Sequence, residues 1–296
     1  MVTKKERRMG EKSPVLYFIM PALILVAVIL IFPLLFAFGI SFFNWDLIDE
    51  SARGFAGFAN FVNIFKDKDF WHALFLQLGF IFIAIPIEAV IGFFVAMLLN
   101  REFKGVKVIR SLLLLPVFVL PVLSGLTWRL MLQPEYGAIS FLLTKIGVSQ
   151  TTWLARPATA YAAVIIQDIW RMWPFMFMFL YSGLINIPPS LIEAADLDGA
   201  GFWDKVFKII LPLLKPTFTT AILLRLIDAL RIFSEVFVMT EGGPGNATTL
   251  LSLYIYKQAF RYFNIGYASA MGIILTIISL TIAIFLVRKN MTMENA

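Results

Sequence analysis

Six ionisable side chains stand inside apolar runs of this chain, at spacings that would let them act together: Asp168 and Arg171 in one run, and Arg225, Asp228, Arg231 and Glu235 in another. A charge at the centre of a bilayer costs several kcal/mol, ~2.5–3.5 on insertion scales, so each needs a role. On a continuous helix, Asp168 with Arg171, Arg225 with Asp228, Asp228 with Arg231, and Arg231 with Glu235 fall three or four residues apart and face one another. Two roles are open to them. Lining a wet path, they would exchange hydrogen bonds with the hydroxyls of a polar solute, with Trp170 and Trp173 offering flat apolar faces to its rings. Paired internally, they would fix helix packing, with the tryptophans at the bilayer interface. The three arginines balance the three carboxylates, which suits a neutral polyhydroxylated solute better than a dianion. Glu88 and Arg129, in other runs, are unassigned and read as structural.

A second constellation is polar throughout: EAADLDGAGFWDKVFKIILPLLKP, Glu193 to Pro216. It is too charged to span a bilayer. Ser190 and Glu193 stand at capping-box spacing after Pro188 and Pro189, so a helix can begin there. Gly199 and Gly201 should break it, and Pro212 and Pro216 should limit its continuation. Ala194, Ala195, Gly199, Ala200 and Gly201 leave the backbone open to close approach. Glu193, Asp196, Asp198 and Asp204 offer charge to a basic partner, while Phe202, Trp203, Val206 and Phe207 offer bulky anchors. Four acidic residues argue against a helix resting on an anionic leaflet.

The elements that must position these residues are helices in lipid. The 296 residues are 60% hydrophobic and 15% charged, with a mean hydropathy of +0.84, the profile of an all-α polytopic membrane protein. The absence of cysteine excludes disulfides and thiol chemistry. A single histidine, His72, argues against a His-based metal or catalytic centre, and no metal site is expected. Six spans are expected near Val15 to Phe43, Leu74 to Leu99, Leu112 to Leu132, Ala158 to Leu184, Pro212 to Thr240 and Gly266 to Val287. The first is too long for a signal-peptide core and reads as a retained span.

The net charge of +6 follows topology and does not point to nucleic acid. Lys4, Lys5, Arg7, Arg8 and Lys12 precede the first span; Arg101, Lys104, Lys107 and Arg110 follow the second. With an even number of crossings, the segments on that side carry about twice as many Lys and Arg as the other side, which makes it cytoplasmic. The expected organisation is a cytoplasmic tail over 1–14, a six-helix domain over 15–288 with the polar segment at 188–211 in the cytoplasm, and a cytoplasmic tail over 289–296. No GxxxxGK[ST] phosphate loop occurs. Any ATP chemistry must come from another chain.

Glu193, Ala194, Ala195, Asp198, Gly199, Ala200, Ile209, Leu211 and Pro212 together resemble the EAA loop of the permease subunits of binding-protein-dependent ABC importers. The stretch GGPGNATTLLSLYIYKQAF, Gly242 to Phe260, resembles the external loop after the fifth span in the carbohydrate-type permeases, those similar to the larger maltose-permease chain and its glycerol-phosphate counterpart. The resemblance extends over nearly the whole chain, including SFFNWDL and LLLLPVFVLPVLSGLTWRLM, and lacks the long external domain some members carry. It implies a type I importer permease in a bacterial or archaeal cytoplasmic membrane. Its coupling helix, with Phe202 and Trp203 among the contacts, would dock on two ATPase subunits that hold ATP and Mg. The other implied partners are a second six-span permease, an extracytoplasmic binding protein and a sugar, here a di- or oligosaccharide; glycerol phosphate or a polyol is the alternative within the family. A self-sufficient secondary carrier would instead show an inverted repeat and need no docking helix.

Overall fold

The computed structural model describes residues 12–147 and 152–294. Most of the expected N-terminal tail, and the last two residues of the C-terminal one, lie outside that set. The chain divides into two compact units, residues 1–66 with 255–276 and residues 67–254 with 277–296.

In the first unit, α1 (Lys12–Val26) and α2 (Phe32–Ile40) are joined without a break by a π turn, Ala27–Ile31. Pro33 follows two residues later. Its missing N–H and its clash with the carbonyl four residues back are absorbed by that wider turn. A two-residue strand β1 (Phe43–Asn44) pairs antiparallel with β2 (Gly54–Phe55), Phe43 opposite Phe55. The short helix α3 (Ala59–Lys66) is pinned to it by Asn60, whose buried amide donates to the Ser41 and Phe43 carbonyls at 2.9 Å each.

The second unit holds the charges. Its longest helix, α4 (Lys68–Leu99), is followed by α5 (Val106–Leu113), α6 (Leu115–Phe118), α7 (Pro121–Met131) and α8 (Ala138–Lys145). Then come α9 (Pro157–Leu184), α10 (Pro189–Leu197), α11 (Phe202–Lys205), α12 (Leu211–Ala229) and α13 (Ser234–Thr240). Two further helices, α14 (Leu251–Phe260) and α15 (Ile265–Glu294), complete the chain. α15 runs well into the expected C-terminal tail.

Glycines let the rods of this unit approach one another. A Cβ on Gly92 of α4 would meet the Phe177 amide nitrogen of α9 at 2.7 Å, and one on Gly183 of α9 would meet the Leu214 side chain of α12 at 2.6 Å. Around these contacts Phe93, Ala96, Phe177, Leu180, Leu184, Val206, Ile210 and Leu214 form a buried apolar cluster.

Five helices are long and apolar enough to cross a membrane: Phe18–Ile40, Lys68–Leu99, Pro157–Leu184, Phe202–Ala229 and Ile265–Phe285. The expected third span, Leu112 to Leu132, is not a straight rod. Val106–Phe118 and Pro121–Met131 meet at 92° and make the sixth crossing only as a bent pair. Val119 and Leu120 are extended (ψ 127° and 136°), and for Leu120 this is the conformation imposed on a residue preceding proline. The expected fifth span is also broken. α12 ends at Ala229 and α13 begins at Ser234, so Pro212 to Thr240 is not one helix.

Candidate functional site

The two helix breaks meet the buried charges. Arg225 of α12, with no exposed side-chain surface, donates from Nε to Glu88 Oε2 at 2.8 Å and from Nη2 to Glu88 Oε1 at 3.0 Å, a bidentate pair with α4. The same Nη2 also bonds Asp168 Oδ2 of α9, and Nη1 reaches Asp228 Oδ2 at 3.2 Å. Arg171 of α9 contacts Glu235 of α13 at 2.8 Å and Asp168 at 3.9 Å. Asp168 Oδ1 and Arg171 Nε, both buried, form no hydrogen bond.

This arrangement corrects three expectations. Asp228 with Arg231, and Arg231 with Glu235, form no ion pair among the described residues, because the spacing argument assumed a continuous helix across residues 230–233; Glu235 is turned to Arg171 instead. Glu88, left unassigned above, is the principal partner of Arg225. It is the lone ionisable residue in the apolar body of α4, so its counter-charge had to come from another helix, and that was the available signal. With it the group has four carboxylates, Glu88, Asp168, Asp228 and Glu235, against three guanidiniums, so the even balance no longer holds.

The break itself is satisfied by side chains. Gln77 of α4 donates to the Ala229 carbonyl at 2.8 Å and Ser252 to the Leu230 carbonyl at 3.2 Å, so backbone freed at membrane depth keeps partners. Beside it lies a cavity of about 160 Å³ lined by Pro121, Arg171, Asp228, Arg231, Ser234 and Glu235, with Ile232 and Phe233. The Asp228 side chain is 55% exposed, and Arg231 is exposed. The cavity thus offers a carboxylate that accepts hydrogen bonds beside a guanidinium that donates them.

Trp170 and Trp173 do not line this cavity. At about 100° per residue, Trp170 stands roughly 100° and Trp173 roughly 200° around α9 from Arg171, the residue of that helix that lines the cavity. Trp170 packs against Trp128, ring centroids 6.0 Å apart, and Trp173 packs on the apolar cluster.

The polar segment connects α9 to α12, the two helices that carry Asp168, Arg171, Arg225 and Asp228. α10 starts with Pro189 at its first position, behind Pro188, and no side chain caps it; Ser190 therefore lies inside the helix, and the expected capping box is not formed. Its end is a Schellman turn. Asp198 is the C-cap, Gly199 is left-handed at φ +75°, its N–H bonds the Asp196 carbonyl, and the Ala200 N–H bonds the Ala195 carbonyl at 2.9 Å. The glycine is required by conformation alone, since a Cβ there would meet nothing within 4 Å.

Gly201 then N-caps α11. From Phe202 the chain is helical to Ala229, with a π turn at Val206–Ile210 ahead of Pro212. Pro212 and Pro216 thus do not end the helix; the π turn accommodates Pro212 as the earlier one accommodates Pro33.

Glu193, Ala194, Asp198 and Gly199 are exposed, Ala200 is half-buried and Ala195 is buried against the body. Phe202, Trp203 and Phe207 form an exposed aromatic row, with Phe202 and Trp203 rings 5.2 Å apart and Trp203 and Phe207 stacked at 5.7 Å. Val206, expected as a fourth anchor, is buried in the apolar cluster, one helical face away. Asp196 is paired with Lys205 and Asp204 with Lys208, so those two carboxylates are engaged within the chain. Leu211 is half-buried and Pro212 exposed. A cavity of about 420 Å³ opens between this segment and the end of α4, with Glu193, Lys205, Asn100 and Arg101 at its polar edge.

Residues 71–290 match the family described as binding-protein-dependent transport system inner membrane component. A trehalose/maltose transport system permease protein of Thermococcus litoralis is 39% identical over 84% of this chain and 82% of its own length. A sulfoquinovosyl glycerol transport system permease protein of Agrobacterium fabrum is 34% identical over 93% of this chain and 89% of its own. Among solved structures, a chain of a bacterial ABC transporter that imports the acidic polysaccharide alginate superposes with a TM-score of 0.84 over 98% of this chain and 99% of that one, at 22% identity.

Proposed function

The chain belongs to the binding-protein-dependent transport system inner membrane components and is an integral inner-membrane permease subunit of an ABC importer; from that premise we propose that it carries a sugar, probed first as a disaccharide, across the membrane. Permeases named for trehalose/maltose and for sulfoquinovosyl glycerol support the class. So does the central cavity, where Asp228 and Arg231 accept from and donate to hydroxyls. A glycerol phosphate dianion is disfavoured there because the guanidiniums of Arg171 and Arg231 are matched by the carboxylates of Asp228 and Glu235, which leaves no excess of positive charge. In this reading both termini and the polar segment lie in the cytoplasm. A second permease subunit closes the path, an extracytoplasmic binding protein delivers the solute, and two ATPase subunits carrying ATP and Mg dock on Glu193 to Pro212.

The observation that carries this reading is the Schellman turn at Gly199. It presents Glu193, Ala194, Asp198 and Gly199 outward while joining the two helices that line the cavity. A partner that displaces this turn pulls on α9 and α12 together, and both reach the charges; access would switch through that differential contact. The test is Glu193→Lys in the assembled transporter. Membrane insertion should be unchanged, and ATP-driven uptake of trehalose or maltose should fall at least tenfold as the charge opposing a basic partner is reversed. Undiminished uptake would remove Glu193 from the docking surface.

A further inference from the structure

The short helices α7 and α13 have a cavity at each end. The central one is lined by Pro121, Ser234 and Glu235, at their N-terminal ends. At their C-terminal ends lies another, of about 330 Å³, walled by Arg129, Gln133, Thr152, Trp153, Thr240 and Glu241. The two are roughly 10–15 Å apart along the helix pair at 1.5 Å per residue. The second cavity adjoins the start of α9, whereas the polar segment follows its end, about 40 Å away along that 28-residue helix. It therefore opens on the face opposite the coupling segment, the outer face in the orientation proposed above.

We propose that this cavity is a second saccharide subsite, which holds the solute on its way from the binding protein to the central cavity. Its walls have the chemistry a sugar requires. The Trp153 ring offers a flat apolar face for the C–H side of a pyranose. Arg129, the Gln133 amide and the Trp153 indole N–H donate, and the Glu241 carboxylate and the Gln133 carbonyl accept. None of the Gln133, Trp153 and Glu241 side chains has a polar partner among the described residues; Arg129 is held in place by one bond from Nη1 to the Val238 carbonyl at 3.0 Å. The volume admits one sugar ring with its waters, or a compact disaccharide.

Glu241 carries a second mark of function. It follows the last residue of α13 with φ +52°, ψ +23°, the left-handed conformation that glycine adopts without strain. Glycine is available in the next two positions, Gly242 and Gly243. A side chain kept at the strained position places a carboxylate at the mouth of the cavity, a pattern found where strain serves a site.

The proposal rests on the sugar-permease reading, and the experiment separates the two. The transporter, purified with its partner subunits and placed in nanodiscs without the binding protein, is titrated with trehalose and with maltose while tryptophan emission is followed. A saturable change with at least one disaccharide is expected, lost in Trp153→Phe. In Glu241→Gly it should need about tenfold or more sugar, the loss of one charged hydrogen-bond partner, while the melting temperature rises because the strain is relieved. In Asp228→Asn, where uptake is lost at the central cavity, the change should persist.

A response untouched by both Trp153→Phe and Glu241→Gly, or one abolished by Asp228→Asn, overturns the subsite. So does the absence of a response to either sugar in a transporter that takes one of them up with its binding protein. If the sugar-free binding protein alone elicits the Trp153 signal, the cavity seats a protein side chain and the saccharide assignment falls. Failure of uptake of both sugars, with a normal response at Trp153, would count against the transported class and leave the subsite standing.

Discussion

Arg225 and Asp228 stand three residues apart on one helix and touch each other, yet the structure assigns them different work, and substitution should separate them. In Arg225→Met the methionine fills most of the space, while Glu88 and Asp168 are left buried without their cation. Breaking a buried pair in this way costs about 3–5 kcal/mol, most of it the penalty of the orphaned charge. For a chain of this size that corresponds to a fall in melting temperature on the order of 10 °C. In Asp228→Asn only one bond, at 3.2 Å, is weakened, and the side chain is 55% exposed. Screening limits such a pair to about 1 kcal/mol or less, a shift of a few degrees at most. Uptake should respond in the opposite sense: Asp228→Asn removes the charge facing the central cavity and turns one of its two acceptor oxygens into a donor, and should abolish most transport by a well-folded protein. The assay is thermal unfolding of the purified transporter beside uptake in vesicles, with Arg225→Met/Glu88→Gln as the third variant. Neutralising Glu88 removes one of the two orphaned carboxylates, so the double variant should regain part of the lost stability. If Arg225→Met unfolds at the wild-type temperature, or Glu88→Gln deepens its loss, the buried network is not what holds α4, α9 and α12 together.

Two other substitutions follow from backbone geometry. Gly199→Val puts a β-branched residue at φ +75°, about 1–2 kcal/mol unfavourable, and should dissolve the Schellman turn; membrane levels should hold while ATP-driven uptake is lost, with Gly199→Asn, tolerant of that conformation, retaining most of it. Gly92→Leu forces a side chain against the Phe177 and Met176 backbone of α9, where even a Cβ has 2.7–2.9 Å, and should lower the melting temperature by at least the ~1–3 kcal/mol of ordinary overpacking, measured in detergent by unfolding.

How much of this was readable in the chain differs between the two sites for a physical reason. The turn at Gly199 is local. Asp198-Gly199-Ala200 can be read as C-cap, left-handed residue and return from six letters of sequence, and the structure has that turn. The cavity is not local. The spacing of Arg225, Asp228, Arg231 and Glu235 holds for Arg225 with Asp228 and fails for the two pairs of Arg231, because the helix stops at Ala229, just before LRIFSE, a stretch without Gly or Pro to announce it. The break is held open by Gln77 and Ser252, from helices distant in sequence. The bend at Val119 and Leu120 does have a local cause in Pro121, which extends Leu120, but a proline within an apolar run does not by itself tell a bend from a straight span. For Trp170 and Trp173 residue type leaves both the path and the bilayer interface open; their angles around α9 from Arg171 turn them from this cavity.

The same contrast explains why the charges cluster where they do. Backbone groups released by a break in a membrane need partners, and only side chains from other helices or water can supply them. A break therefore draws polar residues toward itself, as Gln77 and Ser252 show, and the low dielectric around it makes every unpaired group there costly. Glu88, Asp168 and Arg225 bond one another out of contact with solvent, with Asp168 Oδ1 left without a hydrogen bond among the described residues. Asp228 and Arg231, at the edge of the break, are left partly open. The cavity wall is the exposed rim of a structural network, so removing the network's centre should unfold the protein before it alters selectivity, and altering its rim should do the reverse.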